Sequence, residues 1–128
     1  MARFRVKYFG SNDVPVNLIK PILDEIDAEM VIARPTNDAE VVEAGRDADA
    51  IIMHGSVPFT REIIAQLKRC KVVCRTGVGV DRMDLQAAAE FGVKICNAAG
   101  CNSIEVSEQT IGLLIAVARK LVRMNQYV

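Results

Sequence analysis

The chain has 128 residues, which is enough to bury the core of one domain and sets one domain as the expected limit. Its 16 Lys and Arg residues balance 16 Asp and Glu residues, so the formal net charge is zero. Such a chain has no summed field that would draw it onto nucleic acid or an anionic membrane, and we expect neither as a partner.

The start of the chain, residues 1–7, interleaves charged and apolar side chains and lacks the apolar core of a signal peptide. The most apolar stretch, Ile111 to Val117, contains Gly112 and is too short for a bilayer span. These observations predict a cytoplasmic protein without a membrane segment.

Short β-rich runs alternate with stretches of helical periodicity, which is typical of parallel βαβ units. Five runs predict strands: Phe4–Phe9, Met30–Ala33, Ala50–His54, Lys71–Arg75 and Val93–Asn97. We therefore predict an α/β fold, a flavodoxin-like open parallel sheet in the order 2-1-3-4-5 with helices on both faces. The functional loops should share the carboxyl edge of that sheet.

Three features near the chain ends carry further expectations. Because proline fits only the first turn of a helix, Pro21 predicts that the first helix begins near Asn17 or Leu18. The charges of the first strand at Arg3, Arg5 and Lys7 suggest a face that a later segment covers. Residues 103–126 have a wide apolar stripe without a terminal glycine or proline, which predicts one long, uncapped helix.

The four cysteines do not form a recognisable metal motif. Cys70 and Cys74 bracket a predicted strand, where their separation along the strand also exceeds disulfide reach. We expect Cys70, Cys74, Cys96 and Cys101 to be reduced and packed, with no metal site.

The loop after the fourth predicted strand reads Arg75-Thr76-Gly77-Val78-Gly79-Val80-Asp81. Its glycines permit close backbone approach, and its N–H groups can accept a carboxylate. A plain tight turn would explain the glycines equally well. It is not a dinucleotide fingerprint, because Arg82 stands in place of the third glycine and the acidic partner downstream is missing.

The loop after the fifth predicted strand, Asn97 to Ser103, leads into the long helix. Asn102 and Glu105 have the spacing of an N-cap and N3 pair, which predicts a capping role for Asn102. A helix N-terminus also attracts anions, so ligand binding remains an alternative interpretation.

These two loops and the segments around them resemble the family of D-isomer-specific 2-hydroxyacid dehydrogenases. The order of secondary-structure elements agrees with that family from Ala48 to Leu121. The segments that carry the resemblance are Gly77–Asp81, Met83–Leu85, Ala88–Ala89, Gly92–Val93 and Asn97–Ala98. Cys101–Ile104 with Val106 and Glu108 is particularly similar to formate dehydrogenase, a member of this family. Residues 1–47 match only in pattern.

The resemblance implies that some residues of this chain contact the substrate and that others contact the cofactor. The N–H groups of Val78 and Gly79 would hold the substrate carboxylate, and the Asn102 side chain would contact the substrate. Ser103 and Val106 would approach the nicotinamide of NAD or NADP.

Of two further residues, one matches the phosphoglycerate dehydrogenases of the family and the other does not. Arg75 matches an arginine that helps to hold the substrate phosphate, although a surface charge at a strand end is an equal alternative. His54 stands where those relatives have another arginine, and a solvated loop histidine explains it at least as well.

The resemblance also implies what the chain lacks. Residues 1–102 correspond to the first part of a substrate domain, and residues 103–128 to a crossover helix towards an absent nucleotide-binding domain. The family's catalytic arginine, glutamate and histidine have no counterpart here, and Gln109 occupies a helix position where many relatives carry histidine. We expect a small 2-hydroxy or 2-keto acid as ligand, a homodimer, and no catalysis by this chain alone.

Three other classes of protein share this type of fold. A receiver domain needs clustered carboxylates after the first and third strands, and a flavodoxin needs a phosphate loop after the first. Neither pattern is present. A binding module resembling the C-terminal-binding proteins, which share this fold and recognise peptides from transcription factors, is the main alternative.

Overall fold

The computed structural model describes residues 2–10, 15–55 and 57–127. These residues form one sheet of five strands in the order β2-β1-β3-β4-β5, and every pairing is parallel. The strands are β1 (Phe4–Phe9), β2 (Ala28–Ala33), β3 (Ala50–Met53), β4 (Val72–Arg75) and β5 (Lys94–Asn97). The predicted architecture is confirmed, including the strand order.

Helices connect the strands and follow the last one. They are α1 (Val16–Asp24), α2 (Asp38–Gly45), α3 (Arg61–Gln66), α4 (Leu85–Glu90), α5 (Ser103–Ala118) and α6 (Leu121–Met124), with a 3-10 turn at Asn125–Tyr127. Side-chain caps start two of them: Asn37 accepts from the Glu40 N–H before α2, and Asp84 accepts from the Ala87 N–H before α4. These caps fix where α2 and α4 begin relative to the sheet.

The main core lies on one face of the sheet. Ile51, Met53 and Val73 point to this face and are at most 1% exposed. They pack in one cluster with apolar residues of α2, α3 and α4, among them Val41, Ile63 and Ala87. A smaller buried group lies on the opposite face, where α1 packs against β2: Val6, Tyr8 and Ala28. Helices therefore cover both faces, as predicted.

The charges of β1 are neutralised within the chain. Lys7 Nζ lies 3.0 Å from Asp47 Oδ1 with only 12% of its side chain exposed, and the Arg5 guanidinium also binds Asp47. Asp47 belongs to the turn before β3. Arg5 and Lys7 therefore do not need the later segment that was expected to cover this face, because the turn before β3 supplies the carboxylate of Asp47.

The start of α1 lies one residue from the predicted Asn17, but the predicted position of Pro21 in the first turn was wrong. The helix begins at Val16, because the Pro15 carbonyl already accepts from the N–H groups of Leu18 and Ile19. Pro21 consequently lies in the second turn, past the first turn where it was expected.

The prediction of one helix over residues 103–126 was also wrong. Helix α5 ends at Ala118, and Lys120 adopts a left-handed conformation with φ 54° before α6 begins. The N–H of Lys120 donates to the Val117 carbonyl at 3.1 Å, which closes the last turn. A left-handed terminal residue is usually glycine, so the residue pattern does not predict this break.

Candidate functional site

The carboxyl ends of three strands bring the candidate residues to one edge of the sheet. Met53 of β3 pairs with Arg75 of β4, and Arg75 pairs with Asn97 of β5. A cleft of about 290 Å³ opens beside these ends. It is lined by Met53, His54, Gly55, Arg75, Thr76 and Gly77. The structure therefore places His54 and Arg75 at the same cleft.

His54 is exposed but held in position. Its N–H donates to the Phe9 carbonyl at 2.7 Å, which continues the β1–β3 pairing beyond the strand. Its Nδ1 lies 2.8 Å from Thr76 Oγ1, and the Thr76 N–H donates to the Met53 carbonyl at 3.0 Å. Thr76 thus orients the imidazole and leaves Nε2 directed away from this hydrogen bond.

Arg75 is half-buried at the end of β4. One terminal nitrogen donates to the Gly55 carbonyl at 2.8 Å, and Gly55 has the positive φ of 107° that glycine tolerates best. The Arg75 Nε is buried without a hydrogen-bond partner. Within the described ranges no carboxylate pairs with this guanidinium, so several of its donors are available.

The loop from Gly77 to Gly79 exposes backbone donors. None of the hydrogen bonds among the described residues uses the N–H of Gly77, Val78 or Gly79. Neither glycine has positive φ, so backbone conformation does not require glycine here. A Cβ on Gly77 would meet only Arg75 Nε, at 3.7 Å, whereas one on Gly79 would lie 3.0 Å from Asp81 Oδ2. The loop therefore offers consecutive donors with open space at Gly77.

The two loops are joined by residues that the sequence analysis did not assign a role. Asn97 Nδ2 donates to the Val78 carbonyl at 2.7 Å, and the Ala98 N–H donates to the Gly77 carbonyl at 3.2 Å. Asn97 and Thr76 therefore position the loop and the histidine. The only available signal was their location directly at strand ends, where a side chain can reach the next loop.

The predicted N-cap position of Asn102 is confirmed, but the predicted side-chain cap is not formed. Asn102 occupies the N-cap position of α5, but with φ −130° and ψ 23° its side chain makes no capping hydrogen bond. Its backbone carbonyl accepts from the Val106 N–H at 3.0 Å. The Asn102 amide, together with Ser103 and Val106 on the first turn of α5, is exposed. No hydrogen bond joins these three side chains to the Gly77–Gly79 loop in the described part of the chain.

The cysteines are free, but they are less packed than expected. Cys70 is buried, Cys74 is half-buried, and Cys96 and Cys101 are exposed. The packing prediction fails for the last two because edge strand β5 and the loop after it have one open side. The described residues contain no group of three or more potential metal-ligating side chains.

Helix α5 lies outside the core. None of its 16 residues is buried. Even the apolar side chains of Ile104, Ile111 and Leu114 are 71%, 58% and 68% exposed. No helix among residues 2–10, 15–55 and 57–127 is long and apolar enough to cross a bilayer. The exposed side chains of Ile104, Ile111 and Leu114 give α5 an apolar surface that none of the described elements covers.

Comparison with known proteins matches most of the chain to one family. The model of the family described as D-isomer specific 2-hydroxyacid dehydrogenase, catalytic domain, matches residues 12–123. Among curated proteins, D-3-phosphoglycerate dehydrogenase of Methanocaldococcus jannaschii is 38% identical over 116 residues, which is 91% of this chain. Hydroxypyruvate reductase of Thermotoga maritima is 28% identical over 96% of this chain.

A solved structure extends the comparison to three dimensions. The NAD+-bound 3-phosphoglycerate dehydrogenase of Entamoeba histolytica superimposes with a TM-score of 0.71 at 25% identity. That match covers 88% of this chain and 38% of the other. The present chain spans 22% of the length of the Methanocaldococcus relative and 39% of the Thermotoga relative.

Proposed function

We propose that this chain, which belongs to the catalytic-domain family of the D-isomer specific 2-hydroxyacid dehydrogenases, provides the carboxylate-binding half of an NAD(P)-dependent oxidoreductase. Its ligand is a small D-2-hydroxy acid or the corresponding 2-keto acid. The observation that carries the proposal is the set of unused donors at Gly77, Val78 and Gly79 beside the partly unpaired guanidinium of Arg75.

A carboxylate fits this set of donors. Successive backbone N–H groups bind anions without side-chain bulk, and a guanidinium can add two parallel hydrogen bonds. Asp81 is the opposing charge, since its Oδ2 lies near Gly79. The ligand carboxylate is therefore expected nearer to Val78 and Arg75, and His54 and Asn102 act as polar neighbours that contact the rest of the substrate.

The reaction needs groups that this chain does not offer. Hydride transfer requires a nicotinamide held against the substrate carbon and an acid or base at the substrate oxygen. The only histidine in the sequence is His54, whose Nδ1 is engaged with Thr76. We assign the nicotinamide, the catalytic arginine and the general acid to a nucleotide-binding domain outside these 128 residues, with Ser103 and Val106 facing the cofactor. The chain alone is then inactive.

The exposed stripe of α5 and α6 suits two protein partners: that nucleotide-binding domain and a second copy of the chain. Leu121, Val122 and Met124 are 49%, 78% and 57% exposed, which favours self-association of the isolated chain. Sedimentation equilibrium at rising concentration should detect a dimer, and Val122→Lys should weaken it. A monomer at every concentration would remove the homodimer from the proposal.

Carboxylate binding is testable with the chain itself. In a ¹⁵N-labelled sample, glyoxylate added as a simple 2-keto acid should shift the amide signals of Gly77, Val78 and Gly79, whereas equal sodium chloride should not. Arg75→Met should abolish these shifts. Arg69→Met, which removes an arginine from the opposite edge of the sheet, should leave them unchanged.

The outcomes separate the enzyme from the main alternative. Shifts confined to other residues, or equal responses of the two arginine variants, would overturn the carboxylate site. A binding module would instead respond to a partner peptide and not to a 2-keto acid. NAD-dependent turnover of 2-hydroxy acids by the longer polypeptide, and its absence in this chain, would support the division of the site.

A further inference from the structure

Two cysteines face each other across neighbouring strands. Cys74 of β4 pairs in register with Cys96 of β5. Neighbouring strands lie about 4.8 Å apart, which falls within the Cα separation of about 4.4–6.8 Å that a disulfide spans. A bond between them thus needs little backbone movement.

The pair lies on the face of the sheet away from the main core. Val73 and Ile95, their neighbours along the two strands, pack with the core cluster. Since side chains alternate along a strand, Cys74 and Cys96 point to the opposite face. Cys74 is half-buried there and Cys96 is exposed, so a small reagent can reach Cys96 in the folded chain.

The other two cysteines provide internal references. Cys70 is buried, donates to the Val72 carbonyl, and has its pKa raised by burial to about 11. Cys101 is exposed in the loop before α5. Burial also raises the pKa of Cys74, and the adjacent Cys96 raises it further. A reagent should therefore attack Cys96 before Cys74, because the thiolate is the reactive form of cysteine and Cys96 is the more accessible.

The geometry points to a dithiol modification site at which hydrogen peroxide forms an intramolecular disulfide between Cys74 and Cys96. In the first step, the Cys96 sulfur attacks one peroxide oxygen and the O–O bond breaks. The released hydroxide takes the thiol proton and leaves as water, so that Cys96 becomes a sulfenic acid. In the second step, the Cys74 sulfur attacks the Cys96 sulfur, the S–O bond breaks, and a second water leaves with the Cys74 proton. The thiols lose two electrons in total and the peroxide gains them. A small dithiol reverses the reaction by exchange.

This inference does not depend on the proposed function, but the bond would form next to the candidate site. Each cysteine directly precedes a strand-end residue, Arg75 in β4 and Asn97 in β5. The disulfide would therefore tie together the points from which both loops depart.

Peptide mapping tests the inference on the full chain. The chain is treated with hydrogen peroxide, and the remaining thiols are alkylated. Trypsin should then release residues 72–75 joined to residues 95–119. The mass of this joined peptide should be lower by two hydrogens than the sum of the masses of the two separate peptides. Because residues 95–119 contain both Cys96 and Cys101, the assignment comes from variants. The joined peptide should persist in Cys101→Ser and disappear in Cys96→Ser, which changes an exposed side chain.

A second measurement follows the intermediate. In Cys74→Ser the resolving thiol is missing, so dimedone should capture the sulfenic acid at Cys96, with circular dichroism confirming the fold. A joined peptide that persists in Cys96→Ser and vanishes in Cys101→Ser would overturn the pair. Oxidation of wild-type Cys96 to sulfinic acid while Cys74 is still fully alkylated would also overturn it.

Discussion

The two edges of the sheet carry the same kinds of charged residue in opposite states of pairing. At the amino edge, Arg69 makes two hydrogen bonds to Asp49, and Asp49 also accepts from the Arg5 N–H at 2.7 Å. At the carboxyl edge, Arg75 has a buried Nε without a partner and binds a backbone carbonyl. The donors of the first edge are consumed in holding strands together, whereas the Arg75 guanidinium of the second donates only to the Gly55 carbonyl among the described residues. Their hydrogen-bond partners, and not their residue type, distinguish Arg69 from Arg75.

The largest expected effect comes from Arg75, the last residue of β4. In the longer enzyme, Arg75→Met should lower kcat/KM for a 2-hydroxy acid by about 10- to 100-fold, because a hydrogen bond to a charged group contributes about 1.5–3 kcal/mol. Arg69→Met is the matched control and should leave kcat/KM within about twofold. Steady-state kinetics measure both. Equal losses of kcat/KM in the two variants would contradict a functional difference between the two edges of the sheet.

Asn102 sharpens the comparison at the carboxyl edge. Since its side chain makes no capping hydrogen bond, Asn102→Ala should leave the melting temperature of the chain nearly unchanged. If the amide contacts substrate, the same change in the longer enzyme should lower kcat/KM by about tenfold. Thermal melts and kinetics are measured in parallel. A variant that melts earlier and turns over normally would return Asn102 to a structural role.

Asp49 tests the amino edge. Asp49→Asn keeps the shape of the side chain but removes the charge that Arg69 and the Arg5 N–H share, so the free energy of unfolding should fall by about 0.5–1 kcal/mol. Urea titration measures this loss. Glyoxylate binding should be unaffected, and a weakened response would contradict the separation of the edges.

The smallest effect is the dependence of stability on pH. The hydrogen bonds from Arg69 hold the pKa of Asp49 below its usual value. Burial raises the pKa of Asp47, but hydrogen bonds from Lys7 and Arg5 outweigh this effect and lower it overall. A carboxylate with a lowered folded-state pKa stabilises the fold above its unfolded pKa of about 3.9 and loses that contribution as the pH falls through the folded-state value.

Urea unfolding should therefore show nearly constant contributions from these groups above about pH 5 and a decline below about pH 4. The decline should be shallower in Asp49→Asn. An unchanged slope in that variant would show that Asp49 does not carry the effect.

The sequence predicted the parts of the molecule that depend on periodicity. Strand order and loop location followed from alternating runs and from the rule that ligand loops end parallel strands. It missed the features that depend on a particular side-chain partner. The family resemblance pointed to Arg75 and not to Arg69, but only the fold shows that Asp49 lies beside Arg69 and Gly55 beside Arg75.

The same limit explains the errors at the helix ends. Spacing alone suggested that Asn102 caps α5, but the dihedral angles at that residue turn the side chain away from a capping geometry. Spacing also suggested an unbroken helix to residue 126, because a lysine in the left-handed region carries no sequence signal. Both outcomes are set by local backbone conformation, which residue patterns constrain weakly.

Helix α5 has a consequence for how the chain would assemble. A helix of 16 residues with none buried extends about 24 Å with little tertiary support, and isolated helices of this length are marginal in water. Its amide hydrogens should therefore exchange much faster than those of β1 and β3, as a separate cooperative unit. A partner that covers α5 would bury its apolar surface and would also shift the equilibrium between unformed and formed α5 towards the formed helix. The apparent affinity of this partner would be reduced, because only molecules with a formed α5 can bind it.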